Sequence, residues 1–326
     1  MTTQRVGPPA GPVGRPTKLM IREVQVKRAL TKTGGFLRGY AYSLNPYGGC
    51  QFGAVVPGGD EEAMGCPFCY VRELPVARFR GEPWGGWVDA KVNLPDRLRQ
   101  ELATLDRRSH LAASRVFCAS ATDPYQPVAE GRYRITRRAL EALIHHPPGG
   151  LLIQTRSLLV RRDLDLLRCL SRRTNLVVSV SIETDREDVR RALTPTSPPI
   201  AARRRLLGDL RAAGFFVQAA VSPLLPCDPA AFAEQLDPVV DRVILDTFQL
   251  GDGSGGRRSD HLGMAGRLER HGWGGWYRPD AYRPVLAAFR RVLGADRVLV
   301  SAEGFNTFPG KPADAEEGPS VRAARG

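Results

Sequence analysis

Short apolar runs and helical patterns alternate along most of this chain, and this alternation limits the folds that it can adopt. The apolar runs lie at residues 40–44, 115–120, 151–155, 176–182, 215–221 and 242–246. Stretches with the 3.6-residue period of a helix lie at residues 94–105, 161–171, 204–213 and 279–292, and another begins near residue 136. Strands that alternate with helices form parallel sheets. The pattern therefore predicts an α/β fold with six βα units.

Three of the six cysteines lie between the first predicted strand and the first predicted helix. Two residues separate Cys66 from Cys69, so a tight loop can direct both thiolates toward one metal centre. The fifteen residues between Cys50 and Cys66 can form a loop that returns the chain to Cys50. A structural zinc site normally has four ligands, and this set has three with no obvious fourth. The set suggests a metal centre with one open position, at the carboxyl end of a strand, where active sites of parallel folds lie.

The residues around these cysteines resemble the cluster loop of radical S-adenosylmethionine (SAM) enzymes, specifically the spore photoproduct lyase-like family. The matching residues are Asn45-Pro46-Tyr47, Gly49-Cys50 and Cys66-Pro67-Phe68-Cys69-Tyr70-Val71-Arg72. A second match, TDPYQP, covers residues 122–127. The chain departs from the family in the longer spacing between Cys50 and Cys66. We call residues 45–73 the cysteine loop. The resemblance covers about residues 40–250.

The resemblance implies a partial parallel (β/α)6 barrel of radical SAM type. It implies that Cys50, Cys66 and Cys69 hold a 4Fe-4S cluster, which leaves one iron free to chelate SAM. In the family the reduced cluster cleaves SAM to a 5′-deoxyadenosyl radical, and the cofactor carries the chemistry. A partner is implied as well, a reductant protein such as a flavodoxin or ferredoxin.

Other cofactor-binding residues follow from the same resemblance. Phe68, before the third cysteine, is expected to pack near adenine, and Arg156, after the third predicted strand, to reach the SAM carboxylate. Ser120 is expected to lie near SAM. Ser179 and Ser181 are alternate residues of one strand and so face the same side. They can contact a ribose or simply bond to the backbone.

Cys118 is the candidate catalytic thiol, because the lyase has a cysteine two residues before a serine in a similar stretch. There the cysteine returns a hydrogen atom to the product radical, and Tyr70 is a possible relay here. A buried cysteine in a strand is more often a small hydrophobe. A donor must face the barrel interior, whereas a packing residue can face the helices. Helical periodicity places Cys169 in the core.

The chain carries a formal net charge of +13, supplied almost entirely by arginine. Arginine suits phosphate contacts, so nucleic acid is one partner class that the charge indicates. A genome-wide preference for arginine codons explains the same excess. The start of the chain has no segment of signal-peptide type, and the longest strongly apolar run, residues 176–182, is too short to cross a bilayer. We therefore expect a cytoplasmic protein with no membrane partner.

The composition divides the chain into four parts. We expect a mobile basic N-terminal segment at residues 1–36, ending in a short stretch packed on the main body. A radical SAM core at 37–250 and a C-terminal cover region at 251–310 follow, and then a disordered tail at 311–326.

Three functions remain open at this point. The first is a radical SAM enzyme with a lyase-like repair activity on DNA or another nucleic acid. The second is radical SAM modification of a peptide, a lipid or a small metabolite. The third is a noncatalytic zinc protein that binds nucleic acid, with His110 or Asp60 as the fourth zinc ligand.

Overall fold

A parallel sheet forms the centre of the protein. The computed structural model describes residues 19–56 and 64–310. Its strands are β1 (Met20–Val24), β2 (Leu30–Lys32), β3 (Tyr42–Leu44), β4 (Tyr47–Gly48), β5 (Trp87–Lys91), β6 (Arg115–Cys118), β7 (Gly150–Thr155), β8 (Asn175–Ser181), β9 (Phe216–Val221), β10 (Arg242–Leu245) and β11 (Val298–Val300). Eight of them form the main sheet, in the order β11-β10-β9-β8-β7-β6-β3-β2. All neighbours in it are parallel except β2 and β3.

The six predicted strands are β3, β6, β7, β8, β9 and β10, each within two residues of the predicted bounds. The apolar run at residues 297–301 adds a further parallel strand, β11, beside β10. The predicted α/β class with a parallel sheet is therefore confirmed.

The helices of the described residues mostly follow the strands. They are α1 (Pro75–Arg78), α2 (Leu94–Arg107), α3 (Pro127–Tyr133), α4 (Ile135–His145), α5 (Leu164–Ser171), α6 (Glu187–Leu193), α7 (Ile200–Ala212), α8 (Pro229–Leu236), α9 (Phe248–Gly251), α10 (Arg257–His261), α11 (Met264–Arg270), α12 (Tyr282–Leu293) and α13 (Ser301–Asn306). None of these is long and apolar enough to cross a membrane.

The two faces of the main sheet pack against different partners, because side chains alternate along a strand. One face packs against the helices in the main core, with residues such as Val116, Ile153 and Val178. The other, which we call the inner face, carries Phe117 and Leu152 and packs partly against α13. The inner face and the carboxyl ends of its strands enclose the site described below.

A second, three-stranded sheet of order β1-β5-β4 supports the cysteine loop. The strand β4, inside that loop, pairs antiparallel with β5. At Gly49, φ is +68° and a Cβ would lie 2.4 Å from the carbonyl oxygen of Trp87. Only glycine fits there, so this contact fixes the approach of the chain to Cys50.

Three segments of the sequence lie outside the described residues, namely 1–18, 57–63 and 311–326. The predicted mobile start, most of the insertion between Cys50 and Cys66, and the predicted tail fall there. The described part of the predicted N-terminal segment contains β1 and β2, which pair with β5 and β3 respectively.

The prediction that Cys169 is a core residue is wrong, because this cysteine is exposed. A 3₁₀ turn over Leu158–Asp163 precedes α5, so the α-helix begins only at Leu164. Its buried side is formed by Leu167 and Leu170. The sequence pattern assumed one α-helix from residue 161. Because the first residues form a 3₁₀ turn instead, a different side of the helix is buried.

Candidate active site

A cavity of about 460 Å³ lies at the carboxyl ends of the parallel strands, next to the cysteine loop. Most of the predicted site residues line it. They are Cys50, Cys66, Phe68, Cys69, Tyr70, Ser120, Arg156 and Ser181. Two others, Cys118 and Ser179, are not among its lining residues. The structure thus brings together eight side chains from distant parts of the sequence, including the three cysteines.

The long spacing between Cys50 and Cys66 is closed by a hairpin stem. Val55 and Met64 form an antiparallel bridge, and the N–H of Gly65 donates to the carbonyl of Ala54 at 3.0 Å. The two ends of the insertion therefore lie next to each other. The stem brings the chain back beside Cys50, so the extra residues do not separate the cysteines in space.

A tight turn carries the second and third cysteines. The N–H of Cys69 donates to the carbonyl of Cys66 at 3.0 Å, and Cys66 has a left-handed φ of +49°. A 3₁₀ turn, Tyr70–Glu73, follows directly. The short CxxC spacing is thus used as a turn that exposes both thiols to the same cavity.

The side chain of Gln126, from the TDPYQP segment, holds the backbone on both sides of Cys50. Its Oε1 accepts from the N–H of Gln51 at 2.7 Å, and its Nε2 donates to the carbonyl of Gly49 at 3.2 Å. Gln126 itself is fully buried. This segment therefore positions the first cysteine, a role that the sequence did not reveal.

The first matching residue of the loop, Asn45, joins it to the end of β6. Its Oδ1 accepts from the N–H of Ala121 at 2.9 Å, and its Nδ2 donates to the hydroxyl of Ser120 at 3.3 Å. The hydroxyl of Tyr70 donates to the carbonyl of Ser120 at 2.6 Å. Two residues of the loop thus fix the position of Ser120 at the cavity.

The three thiols lie in a largely apolar wall. Burial raises the pKa of all three, that of Cys66 to about 12. Metal binding would therefore have to displace protons. Thiolates on one ion lie within about 4 Å of each other, given metal–sulfur bonds of about 2.3 Å. Among the described residues, no group of three or more His, Cys, Asp or Glu side chains could hold a metal ion as placed. The thiols share a wall without forming a single-ion site.

The guanidinium of Arg156 belongs to a buried network of charges. Its Nη1 lies 3.2 Å from Oε1 of Glu183, and Nη1 of Arg203 donates to Oε2 of the same carboxylate at 2.8 Å. Burial opposes ionisation of Glu183, but the two guanidinium groups outweigh it and lower the pKa of the carboxyl. The carboxyl of Asp123 interacts with Arg156 as well, and of these four charged groups Arg156 and Asp123 are the ones that line the cavity.

The backbone around Arg156 is held by Asp123, the first acidic residue after β6. Its Oδ2 accepts from the N–H of Arg156 and its Oδ1 from the hydroxyl of Thr155, both at 2.8 Å. Oδ1 also accepts from the N–H of Tyr125 at 2.8 Å. Asp123 therefore starts a turn, as Asp before Pro commonly does, and also positions the backbone of Arg156.

The two serines of β8 lie at different depths. The hydroxyl of Ser181 accepts from Nε2 of Gln154 at 2.8 Å, and both residues line the cavity. Ser179 accepts from Nε2 of Gln218 at 2.9 Å, and Oε1 of Gln218 accepts from the buried Arg242. Ser179 is therefore bonded within the inner face, below the cavity.

Cys118 lies on the opposite face of the sheet from the cavity. It is 1% exposed and packs in the main core among the helices, whereas its neighbours Phe117 and Ala119 line the cavity. This is the position that a packing residue requires. The hydrogen-donor role of Cys118, with Tyr70 as relay, stays a prediction.

The wall formed by β9, β10 and the residues after them contains groups that the sequence analysis missed. Asp246 directly follows β10, is 1% exposed, and accepts from the N–H of Thr247 at 2.9 Å. Burial raises its pKa to about 7. Asp252 and Arg258 line the same wall. An acidic residue directly after a buried strand was the available signal for Asp246.

The sequence has relatives in several organisms, while no family model matches it. An uncharacterized protein of Methanocaldococcus jannaschii is 28% identical over 210 residues, 64% of this chain and 70% of that protein. An uncharacterized protein of Mycobacterium tuberculosis is 30% identical over 213 residues, 64% of this chain and 57% of that protein. The match thus spans less than two thirds of the mycobacterial relative.

Solved structures of spore photoproduct lyase are similar to this one over most of both chains. One variant matches with a TM-score of 0.59 at 14% identity, covering 94% of this chain and 88% of the lyase. A second variant, with bound AdoMet and dinucleoside spore photoproduct, matches with a TM-score of 0.57 at 15% identity, covering 89% and 82%. At this identity the likeness concerns the fold. This chain shares its fold with spore photoproduct lyase.

Proposed function

We propose that this protein is a radical SAM enzyme in which Cys50, Cys66 and Cys69 hold a 4Fe-4S cluster. One observation carries the proposal: the three thiols line the same cavity as Arg156, at the carboxyl ends of parallel strands. The shared fold supports it, and a partial (β/α)6 barrel is part of the proposal. When bound, the cluster would supply the electron that cleaves the carbon–sulfur bond of SAM.

The chain's own residues would bind and orient SAM. The guanidinium of Arg156, which lines the cavity, suits the SAM carboxylate. Phe68 offers an apolar surface for adenine. Its ring packs edge-on against that of Phe248, with the ring centroids 6.4 Å apart. The hydroxyl of Ser181 is placed for a ribose. The cavity volume lies within the usual range for small-molecule sites.

For the substrate, we propose a nucleic acid as the first class to test. A solved lyase structure holds a dinucleoside spore photoproduct, and this chain carries a net charge of +13. The position of Cys118 on the helix side argues for a product hydrogen source other than this thiol. A peptide, lipid or small metabolite is the second class, and the carboxyl groups of Asp246 and Asp252 in the cavity wall would suit a member of it that carries a cationic or hydrogen-bond-donating group.

Anaerobic reconstitution with iron and sulfide tests the proposal. We expect about four irons per chain and broad visible absorption. After reduction we expect 5′-deoxyadenosine and methionine from SAM. Cys50→Ala, Cys66→Ala and Cys69→Ala should each lose the cluster, whereas Cys169→Ala, at an exposed position, should retain it. A protein that takes up zinc alone would refute the proposal.

A further inference from the structure

We propose that the indole N–H of Trp84 donates a hydrogen bond to a sulfur atom of the cluster and thereby raises the reduction potential of the cluster. The inference rests on the proposed function, because it requires that the three cysteines hold the cluster. It adds a residue from outside the cysteine loop to the groups that act on this centre.

The side chain of Trp84 is buried in the wall of the cavity. It lines the cavity together with Cys50 and Cys69. The residue is 6% exposed, and its Nε1 has no hydrogen-bond partner among the described residues. An indole nitrogen can only donate a hydrogen bond, so an acceptor is what it needs. A buried donor without an acceptor is costly, and a bound group that is not part of the chain is one explanation for it.

The nitrogen edge of this indole ring faces the turn that starts at the first cysteine. The N–H of Gly53 closes that turn by donating to the carbonyl of Cys50 at 3.0 Å. A Cβ on Gly53 would lie 2.3 Å from Nε1 of Trp84 and 2.4 Å from its Cδ1. A glycine thus allows the N–H edge of the ring to contact the backbone three residues after Cys50.

The surroundings of the ring are apolar. Two of the thiols pack against the apolar group to which Trp84 belongs, and the members named here are Val71, Trp84, Trp87, Cys50 and Cys69. A hydrogen bond is electrostatically stronger in such surroundings than in water. A cluster held by Cys50 and Cys69 would bring thiolate and sulfide acceptors to this wall. We therefore assign the N–H of Trp84 to one of these sulfurs.

Trp87 provides an internal comparison. It is 1% exposed, and its Nε1 also lacks a partner in the part of the chain that the structure describes. This ring presents carbon atoms to the loop, however. A Cβ on Gly49 would lie 2.6 Å from Cε3 and 2.8 Å from Cζ3 of Trp87, on the edge opposite Nε1. Trp87 is not among the described residues that line the cavity. The position of Trp84, and not its unpartnered N–H alone, indicates the contact.

The effect on the cluster follows from its charge. Hydrogen bonds to the sulfurs are among the factors that set the reduction potential of an iron–sulfur cluster. Reduction adds negative charge to the cluster, and a donated N–H stabilises the more negative state more strongly. Loss of the N–H of Trp84 should therefore lower the potential.

A redox titration of cluster-loaded, anaerobic protein, followed by electron paramagnetic resonance, tests the inference. At the midpoint potential of the wild type, the ratio of reduced to oxidised cluster should be lower by about threefold or more in Trp84→Phe. Threefold corresponds to about 28 mV, because tenfold is about 59 mV for one electron. Trp87→Phe removes an equally buried N–H outside the cavity and should keep the wild-type ratio.

The possible failures are distinguishable. Equal ratios in the wild type and in both loaded variants would overturn the inference about Trp84 alone. A shift that appears only when SAM is present would assign the N–H to SAM and overturn it as well. A wild type that takes up no cluster would instead overturn the proposed function, and this inference with it.

A second measurement does not depend on the folding of Trp84→Phe. Protein with isotope-labelled indole nitrogens is loaded with the cluster and reduced in the absence of SAM. Pulsed electron paramagnetic resonance then detects any labelled nitrogen that is coupled to the spin of the cluster. We expect a coupling in the wild type and in Trp87→Phe. A wild type without such a coupling would overturn the inference.

Discussion

Val55 and Met64 form an antiparallel bridge that closes the insertion between the first two cysteines. Because this bridge holds the two ends of the insertion together, residues 57–63 should be dispensable for metal binding. Replacing them by Asn-Gly leaves a three-residue loop, a common hairpin length. We expect this variant to bind as much iron on reconstitution as the wild type.

Gly65 supplies the contrasting variant. A Cβ at this position would lie 2.1 Å from the carbonyl oxygen of Phe52 and 2.2 Å from Oγ1 of Thr196. Gly65→Ala must therefore shift the stem, and we expect a clear loss of bound iron. Loss of iron in the shortened loop, with Gly65→Ala unaffected, would show that the stem does not place Cys66.

The second prediction concerns Arg156. If its guanidinium binds the SAM carboxylate, Arg156→Ala should weaken SAM binding to cluster-loaded protein by about 1.5–3 kcal/mol. Equilibrium dialysis measures the affinity, and iron content shows whether the cluster is retained. Arg161→Ala removes an arginine paired with Asp209 on the surface and should leave the affinity unchanged. Equal affinities in all three proteins would restrict Arg156 to its ion pair with Glu183.

The third prediction follows from the raised pKa of Asp246, about 7 in the folded protein because of burial. An unfolded aspartate titrates near about 3.9, so between these values the folded state binds more protons. The free energy of unfolding therefore falls as the pH rises through this window. Above about pH 7 the buried carboxyl is ionised, and the whole of this loss of stability is present. Asp246→Asn should remove this cost.

Urea unfolding at two pH values measures the effect. The quantity to compare is the free energy of unfolding of Asp246→Asn minus that of the wild type. This difference should be more positive at pH 8 than at pH 5, by an amount on the order of 2–3 kcal/mol. A difference between the two proteins that is the same at both pH values would contradict the assigned pKa.

The sequence predicted the local features of this fold and missed the distant pairings. Apolar runs and the CxxC spacing depend on neighbouring residues, so the six strands and the thiol set were accessible. The pairing of β1 with β5 joins residues far apart in the chain, and no local pattern marks it. The same holds for Arg203, which reaches Glu183 from α7. Side chains of a strand alternate between the two faces of the sheet, but the sequence does not show which of the two sets faces the cavity.

The last prediction addresses that choice at Cys118. Because its side chain packs among the helices and is 1% exposed, we expect Cys118→Ala to remove a small core contact and to lower stability by about 1 kcal/mol. Cluster content and SAM cleavage should be unchanged, as should the product once a substrate is known. Product analysis by mass spectrometry, with Cys169→Ala as the exposed control, checks this. An altered product or a stalled adduct in Cys118→Ala alone would mean that this thiol reaches the cavity during turnover and donates the hydrogen atom.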